Sequence, residues 1–290
     1  MRQYLDLVRH VLMAGERRAD RTGTGTISVF GTQLKVNLAS GFPAVTTKRL
    51  YFGQVAAELA CFLNQRETLG EFHAEGCTVW DKNVEAIAWQ ARIAALKDTV
   101  YAGRDYCSDD WVGRHYGLQW RAWRDPVHGR KIDQLRNAIE TLRKDPTSRR
   151  AYISAWNPAE LEDVCLPACH VAYQFSVRGV DTNPRLDCAV TMRSVDTFLG
   201  MPFDIASYAL LTHLCARELG IQPGWLTMWF GDTHIYLNHV EQMQHQLERT
   251  PQSLPTLALD PMARLDSFRA SDCRLVGYEP HPPIRGELSV

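Results

Sequence analysis

The stretch LPACHVAYQF, residues 166–175, places Cys169 directly in front of a run of β-branched and aromatic residues that is typical of a strand. A cysteine with no further context is more often a small buried core residue than a nucleophile. Nearby guanidinium groups favour the nucleophile, because they bind phosphate through paired hydrogen bonds and lower the pKa of a nearby thiol. Four arginines can serve such a site: Arg21, Arg149, Arg150 and Arg193. The stretch therefore predicts either a structural cysteine or a nucleophile beside bound phosphate.

The segments around this stretch mix strand and helix patterns without a regular βαβ rhythm. Strands are predicted at 27–38, with a bulge at Gly31, and around 151–156, 171–178, 186–192 and 225–230. Helices are predicted at 4–13, 52–64, 131–144, 204–219 and 233–247. The pattern is weakest at 83–112, which indicates a variable, partly helical insertion. We expect one α+β domain over residues 1–290, with a mixed, mainly antiparallel sheet packed against helices.

Composition and charge argue against several classes of protein. The 290 residues are 45% hydrophobic and 22% charged, and the formal net charge of -1 gives no overall attraction to nucleic acid or acidic membranes. No apolar run approaches the roughly 18 residues of a membrane span, and the start MRQYLDLVRH lacks a signal-peptide core. The eight cysteines include no CxxC pair, which disfavours a zinc site. We expect a cytoplasmic protein that binds no nucleic acid, membrane or metal.

One carboxylate is out of place in an apolar helix. Glu58 lies within FGQVAAELACFLN, residues 52–64, whose other residues are mostly apolar. A lone ionised carboxylate in apolar surroundings is costly. Its position there suggests a chemical role.

From end to end, the chain resembles the thymidylate synthases. The matching motifs are DRTGTGT (20–26), FPAVTTKR (42–49), VWD around Trp80, YGLQWRAW (116–123), DPTSRR (145–150), SAWNP (154–158), ACHVAYQF (168–175), RSVDTFLG (193–200), FDIASYAL (203–210), GDTHIYLNH (231–239) and GYEPHPPI (277–284). The resemblance implies a thymidylate synthase-like fold, an obligate homodimer, and methylenetetrahydrofolate as the cofactor.

The same resemblance implies roles for the matching residues. Cys169 would attack carbon-6 of a pyrimidine nucleotide and make carbon-5 nucleophilic, which is covalent catalysis by an activated thiolate. Glu58 would manage protons through ordered water, with Tyr116 in the same catalytic group. The nucleotide would be held by Arg21, Arg193 and Ser194 at the phosphate, by Arg149 and Arg150 from the other subunit, and by His234 and Tyr236 at the deoxyribose. The expected folate contacts are Trp80, Leu166, Asp196, Gly200 and the terminal Val290.

Asp204 departs from the family pattern. The family has asparagine in PFNIASYA, whose amide pairs with the edge of uracil, whereas this chain reads PFDIASYA. A carboxyl group can accept from the exocyclic amine of cytosine and share a proton with its ring nitrogen. The phage deoxycytidylate hydroxymethylases carry aspartate at this position, and Met192 before Arg193 also resembles them. The substrate is therefore expected to be dCMP, and phage DNA synthesis in the host cytoplasm is the expected setting.

The product depends on how well the site excludes water. A methylene group on carbon-5 of the nucleotide becomes methyl if it receives a hydride and hydroxymethyl if it receives water. The tail GYEPHPPIRGELSV, residues 277–290, should seal the site, and the phage hydroxymethylases lack such a tail. We expect 5-methyl-dCMP, with 5-hydroxymethyl-dCMP and methylated dUMP as alternatives. A non-catalytic nucleotide or RNA binder is disfavoured by the intact Cys169 and the absence of a basic face.

Overall fold

A six-stranded sheet forms the centre of the molecule in a computed structural model, which describes residues 1–97 and 108–289. Its strands and those of two small hairpins are β1 (Glu16–Arg18), β2 (Thr26–Asn37), β3 (Trp123–Asp125), β4 (Arg130–Ile132), β5 (Tyr152–Ser154), β6 (His170–Arg178), β7 (Arg185–Asp196), β8 (Gln222–Tyr236), β9 (Thr256–Leu259) and β10 (Cys273–Val276).

Helices cover one side of this sheet and carry much of the core. They are α1 (Arg2–Ala14), α2 (Phe52–Leu63), α3 (Leu69–Ala74), α4 (Asp81–Val84), α5 (Ile87–Lys97), α6 (Tyr116–Arg121), α7 (Gln134–Lys144), α8 (Gly200–Glu218) and α9 (Val240–Leu247). Short 3-10 turns lie at Leu38–Ser40, Pro158–Glu160, Leu237–His239, Leu265–Ser267 and Ala270–Asp272. None of the helices described is long and apolar enough to cross a membrane.

The order of the central sheet is β1-β2-β8-β7-β6-β5. Every neighbouring pair is antiparallel except β7 and β8, which run parallel. Parallel neighbours need a long crossover, and α8 supplies it. The predicted mixed, mainly antiparallel sheet packed with helices is confirmed.

The core lies where α2 packs against α8 and α8 packs against β7 and β8 of the sheet. Both helices are apolar on nearly all sides because protein surrounds them. Glu58 is buried in α2, as its sequence context predicted. The two helices thus hold Glu58 and Asp204 inside the molecule, close to the start of β6.

The other face of the sheet is open. Along β8 the even-numbered residues from Leu226 to Phe230 are buried, whereas Trp225 and Trp229 are exposed. Register extends this face across the sheet, because Trp229 lies opposite both Gln33 and Thr191. Tyr152, 55% exposed, belongs to the same face at its far side. This face therefore exposes three large aromatic side chains beside polar ones.

Two predicted helices begin later than expected. The helix predicted at 233–247 is wrong over its first residues, because β8 continues to Tyr236 through its pairing with β2 and α9 begins only at Val240. The helix predicted at 131–144 begins at Gln134. Ile132 instead pairs in the β3–β4 hairpin, and Asp133 caps α7 by accepting from the backbone N–H of Arg136 at 2.8 Å.

The remaining predicted segments are close to the observed ones. The pairing register of β2 and β8 is unchanged across Gly31, so the predicted bulge does not form, although Gly31 has φ of 80°. Within the predicted insertion at 83–112, α5 is attached by the Trp89 indole N–H, which donates to the carbonyl of Trp111 at 2.8 Å. Residues 98–107 of that insertion lie outside the described residues.

Candidate active site

Cys169 is the residue immediately before β6, as the sequence predicted. Its backbone N–H donates to the hydroxyl of Tyr116 at 2.8 Å, and its carbonyl accepts from the N–H of Arg193 at 2.9 Å. The Arg193 guanidinium also donates to the carbonyls of Pro167 and Ala168, each at 2.9 Å. The loop that carries the thiol is therefore fixed from both sides.

Opposing influences act on the Cys169 thiol. Burial raises its pKa, the positive charges of Arg193 and Arg21 lower it, and the nearby Asp204 raises it, with a net pKa above the usual value. The expected influence of the two arginines is present, but here burial outweighs it. Within residues 1–97 and 108–289, no cation acts in this way on Cys165, four residues earlier, and burial raises the pKa of that thiol to about 12. The arginines thus distinguish Cys169 from its neighbour.

Glu58 and Trp80 form a buried pair. The indole N–H of Trp80 donates to Oε1 of Glu58 at 2.8 Å, and the Trp80 side chain is almost completely enclosed. Burial raises the pKa of Glu58 to about 7, despite this hydrogen bond and the nearby His170. A carboxyl group with that pKa can both give and take a proton near neutral pH. The N–H of Trp80 is therefore already bonded and is not available to a ligand.

Tyr116 and His170 stack beside Cys169. Their ring centroids are 4.7 Å apart and the rings are inclined by 24°. Burial raises the pKa of Tyr116 well above its usual value, so its hydroxyl stays protonated. A neutral hydroxyl that accepts from the Cys169 N–H still has a hydrogen to donate.

Asp204 lies in the first turns of α8 and contacts the same histidine. Its Oδ1 is 2.9 Å from Nε2 of His170, while its Oδ2 has no hydrogen-bond partner within residues 1–97 and 108–289. A Cβ added at Gly200 would lie 3.6 Å from this Oδ2. The glycine therefore leaves space beside an unpaired carboxylate oxygen.

The predicted phosphate ligands fall into two groups. Arg193 and Arg21 both act electrostatically on the Cys169 thiol, so the structure brings them to one place. Arg149 and Arg150 are exposed and precede β5, where the carbonyl of Arg149 accepts from the Gln174 side chain at 2.9 Å. Gln174 belongs to the open face of the sheet, since it pairs with Tyr152. The second pair of arginines thus lies beside the open face.

The deoxyribose ligands predicted from the sequence lie at the end of β8. His234 is opposite Asp196 of β7, and Tyr236 is opposite Thr26 of β2. The Asp196 carboxylate accepts from the backbone N–H groups of Phe198 at 2.9 Å and Leu199 at 3.2 Å, just ahead of α8. These side chains therefore line the end of the sheet from which α8 departs.

Comparison with known families agrees with this geometry. The family model described as thymidylate synthase matches residues 2–290. The chain belongs to the thymidylate synthase family. It is a folate-dependent enzyme that methylates or hydroxymethylates carbon-5 of a pyrimidine nucleotide, and methylenetetrahydrofolate is its one-carbon donor.

Three residues expected to bind folate in a thymidylate synthase combine polar and apolar character. A Cβ at Gly200 would lie 3.8 Å from Cβ of Asp196 and 3.6 Å from Oδ2 of Asp204, so Gly200 lies beside two carboxylates. Leu166 is only half-buried at the side of the core. Carboxylates and an apolar side chain suit a flat heterocycle that also carries polar groups. Val290 lies outside the described residues.

The C-terminal tail of this thymidylate synthase family member is attached to the rest of the molecule. Nε2 of His239 is 2.8 Å from the carbonyl of Glu287, and the hydroxyl of Thr24 donates to Ser289 at 3.2 Å. Gly286 lies so close to the ring of Phe198 that a Cβ there would be 2.5 Å from it. The tail therefore reaches the Arg21 loop at one end of the site.

Sequence reasoning missed several side chains that the structure places here. His170 follows Cys169 directly, yet its contact with Asp204 depends on the fold. Lys48, from the motif FPAVTTKR, donates to the carbonyl of Phe198, and burial lowers the pKa of Lys48 to about 8. Asp232 bonds to His234, and their spacing of two residues in one strand was the available signal.

Proposed function

We propose that this enzyme acts on dCMP and forms 5-methyl-dCMP, and that Asp204 recognises the cytosine. The observation that carries the proposal is the state of the Asp204 carboxylate. Oδ1 is engaged by His170, whereas Oδ2 is unpaired among the described residues and faces the space beside Gly200. An unpaired carboxylate oxygen is a good acceptor for the exocyclic amine of cytosine and a poor partner for the carbonyl of uracil.

Asp204 is also assigned the protonation of the cytosine ring. Addition of a thiolate at carbon-6 moves electron density onto the ring nitrogen, and protonation there stabilises the adduct. The hydrogen bond between Nε2 of His170 and Oδ1 of Asp204 places one proton between these two groups. A protonated Asp204 can give its proton to the ring nitrogen and remain as a carboxylate, whose charge the bond to His170 stabilises.

Covalent catalysis is assigned to Cys169. The arginine charges favour its thiolate, which attacks carbon-6, while the Tyr116 hydroxyl and the Arg193 N–H hold its backbone. Glu58, whose pKa of about 7 allows exchange in both directions, moves protons at the pyrimidine through ordered water. When bound, methylenetetrahydrofolate supplies the one-carbon unit, and Trp80, Leu166, Asp196, Gly200 and Val290 are the proposed contacts.

The nucleotide is proposed to be anchored at both ends. Arg21, Arg193 and Ser194 bind the 5′-phosphate, because the two arginines already lie near Cys169. His234 and Tyr236 bind the deoxyribose from the end of β8. Fixing both ends holds carbon-6 near the thiol, which lowers the entropic part of the barrier.

A homodimer is proposed to complete this site. The open face of the sheet carries Trp225, Trp229 and Tyr152, and a second copy of the chain would cover them. Arg149 and Arg150 lie beside that face, too exposed to have a ligand role within their own subunit's core. Across a two-fold axis they would reach the phosphate of the partner.

Methyl is proposed over hydroxymethyl because the tail is in place. The contacts of Glu287 with His239 and of Ser289 with Thr24 hold residues 286–289 against the rest of the molecule. A tail held in this way excludes water from the reactive carbon-5 group. We also propose that residues 1–290 act as a single catalytic domain, with 83–112 as an insertion.

The reaction itself distinguishes these possibilities. The purified enzyme is incubated with methylenetetrahydrofolate and either dCMP or dUMP, and the nucleotide products are weighed by mass spectrometry. We expect dCMP to gain the mass of one methylene group relative to the substrate. A gain that includes one further oxygen would identify the hydroxymethylase, and faster conversion of dUMP would remove the cytosine assignment.

A further inference from the structure

Asp232 and His234 form a hydrogen-bonded pair at the end of β8. They are two residues apart in one strand, so their side chains project from the same face. Oδ1 of Asp232 lies 2.7 Å from Nδ1 of His234. The roles proposed above use His234 for the deoxyribose and leave Asp232 without one.

Asp232 is surrounded by donors. Nη1 of Arg18 on β1 lies 3.6 Å from its Oδ2, and the hydroxyl of Ser28 on β2 also donates to the carboxylate. Burial alone would raise the pKa of Asp232, but the bond from His234 and these neighbours outweigh it and lower the pKa. The group is therefore a carboxylate that can only accept hydrogen bonds.

This environment fixes the histidine tautomer. Because Asp232 can only accept, the hydrogen must be on Nδ1 of His234. In the neutral imidazole, Nε2 is then left as an acceptor. The ring is also held in place by Tyr236, whose ring meets it edge-on at 5.0 Å between centroids.

We propose that Asp232 is a positioning residue that makes the site select nucleotides with a free 3′-hydroxyl, because it holds His234 in the tautomer whose Nε2 accepts a hydrogen bond from that hydroxyl. The inference rests on the proposed contact of His234 with the deoxyribose. A nucleotide inside a DNA strand has its 3′-oxygen esterified and offers no such hydrogen.

The test compares ligands that differ only at this hydroxyl. Dissociation constants of dCMP and 2′,3′-dideoxycytidine 5′-monophosphate are measured by calorimetry for the wild type, Asp232→Ala and His234→Ala. The wild type should bind dCMP more tightly by about threefold to tenfold, the range of one net hydrogen bond. Both variants should lose most of this ratio, and Asp232→Ala should raise KM for dCMP more than it lowers kcat.

A matched control is available elsewhere in the chain. Oδ2 of Asp125 lies 2.8 Å from Nδ1 of His128 at the β3–β4 hairpin. This is also a pair of an aspartate and a histidine, but it lies away from β8. Asp125→Ala should keep the wild-type ratio. If Asp232→Ala also keeps it, or weakens both ligands equally, the positioning role is refuted.

A measurement on the wild type does not depend on how the variants fold. Nitrogen-15 NMR of the ring of His234 should show the hydrogen on Nδ1 and a bare Nε2 in the free enzyme. A hydrogen on Nε2 alone would overturn the inference.

The proposed cytosine specificity can fail separately. Repeating the titrations with dUMP and its dideoxy analogue measures base preference and 3′-hydroxyl preference independently. If dUMP binds more tightly than dCMP while the preference for a 3′-hydroxyl still requires Asp232, the cytosine assignment is refuted and the inference is supported. An unchanged ratio in His234→Ala would instead refute the deoxyribose contact, and the inference with it.

Discussion

Nε2 of His170 lies 2.9 Å from Oδ1 of Asp204, so the residue beside the nucleophile is hydrogen-bonded to the residue that departs from the family pattern. His170 also stacks on Tyr116, whose hydroxyl accepts from the backbone of Cys169. One histidine therefore connects the proposed base-reading carboxylate to the proposed nucleophile. In the proposed mechanism, recognition of the pyrimidine and attack on it would thus depend on side chains that contact one another.

Replacement of the nucleophile should abolish the reaction and leave the fold intact. Cys169→Ala is expected to show no product and no covalent adduct with a 5-fluoro-substituted nucleotide, because no other thiol in residues 1–97 and 108–289 has Arg193 and Arg21 acting on its pKa. Cys165→Ala is the matched control and should retain activity, since burial keeps that thiol protonated. Mass spectrometry of the intact protein detects the adduct. An adduct that persists in Cys169→Ala would assign the attack to another residue.

Glu58 should make stability depend on pH in a defined direction. Burial raises its pKa to about 7 from an ordinary value of 4.5, so its stabilising contribution is complete below pH 4.5 and is lost as pH rises through 7. In Glu58→Gln the side chain does not ionise, so the free energy of unfolding no longer falls with pH for this reason. Relative to the wild type, the variant should therefore gain about 3 kcal/mol in the free energy of unfolding between pH 4.5 and 8.

Urea unfolding at fixed protein concentration measures this difference at each pH. The same variant should lose about 10²-fold or more in kcat, because a glutamine cannot exchange protons. A stability difference that is constant with pH would show that the Glu58 carboxyl is not buried as described.

Sharing of arginines across the dimer predicts complementation. Cys169→Ala and the double variant Arg149→Ala, Arg150→Ala should each be nearly inactive as homodimers. In a mixed dimer, one site combines an intact Cys169 with intact arginines from the other subunit. Unfolding and refolding the two variants together should restore activity toward the fraction of sites that are complete. Activity that stays at the level of the separate variants would argue against shared sites.

The tail should control the choice of product. Removing residues 287–290 eliminates the contact of Glu287 with His239 and that of Ser289 with Thr24. Water should then compete better for the carbon-5 group, and the ratio of hydroxymethyl to methyl product should rise. Mass spectrometry gives this ratio directly. An unchanged ratio at reduced total activity would mean that the tail does not determine water access.

Local patterns predicted the buried elements well. Helix α2 and the strand after Cys169 were evident because their apolar spacing is strong and their ends are marked by polar residues. The end of β8 was not, since the sequence THIYLNHV has a helical spacing of apolar residues as well. Residues 233–236 form a strand because β8 pairs with β2 as far as Tyr236. A local stretch of sequence does not show such long-range pairing.

The sequence predicted which residues belong to the site, but it did not predict the contacts between them. Family motifs marked Cys169 and Asp204, and its apolar surroundings marked Glu58. Neither signal showed that Trp80 would donate to Glu58 or that His170 would bond to Asp204. These contacts join residues from different elements, so they exist only once α2, β6 and α8 are packed. The net rise in the pKa of the Cys169 thiol likewise comes from burial, which a count of nearby arginines omits.

The choice of base is the most direct test of the proposed function. Wild type, Asp204→Asn and the exposed surface control Asp181→Asn are each given equal concentrations of dCMP and dUMP with methylenetetrahydrofolate. We expect the wild type and the control to convert dCMP preferentially, and Asp204→Asn to shift toward dUMP by about one to two orders of magnitude in the ratio of kcat/KM. Equal or faster conversion of dUMP by the wild type would contradict the assignment of Asp204 as the residue that reads cytosine.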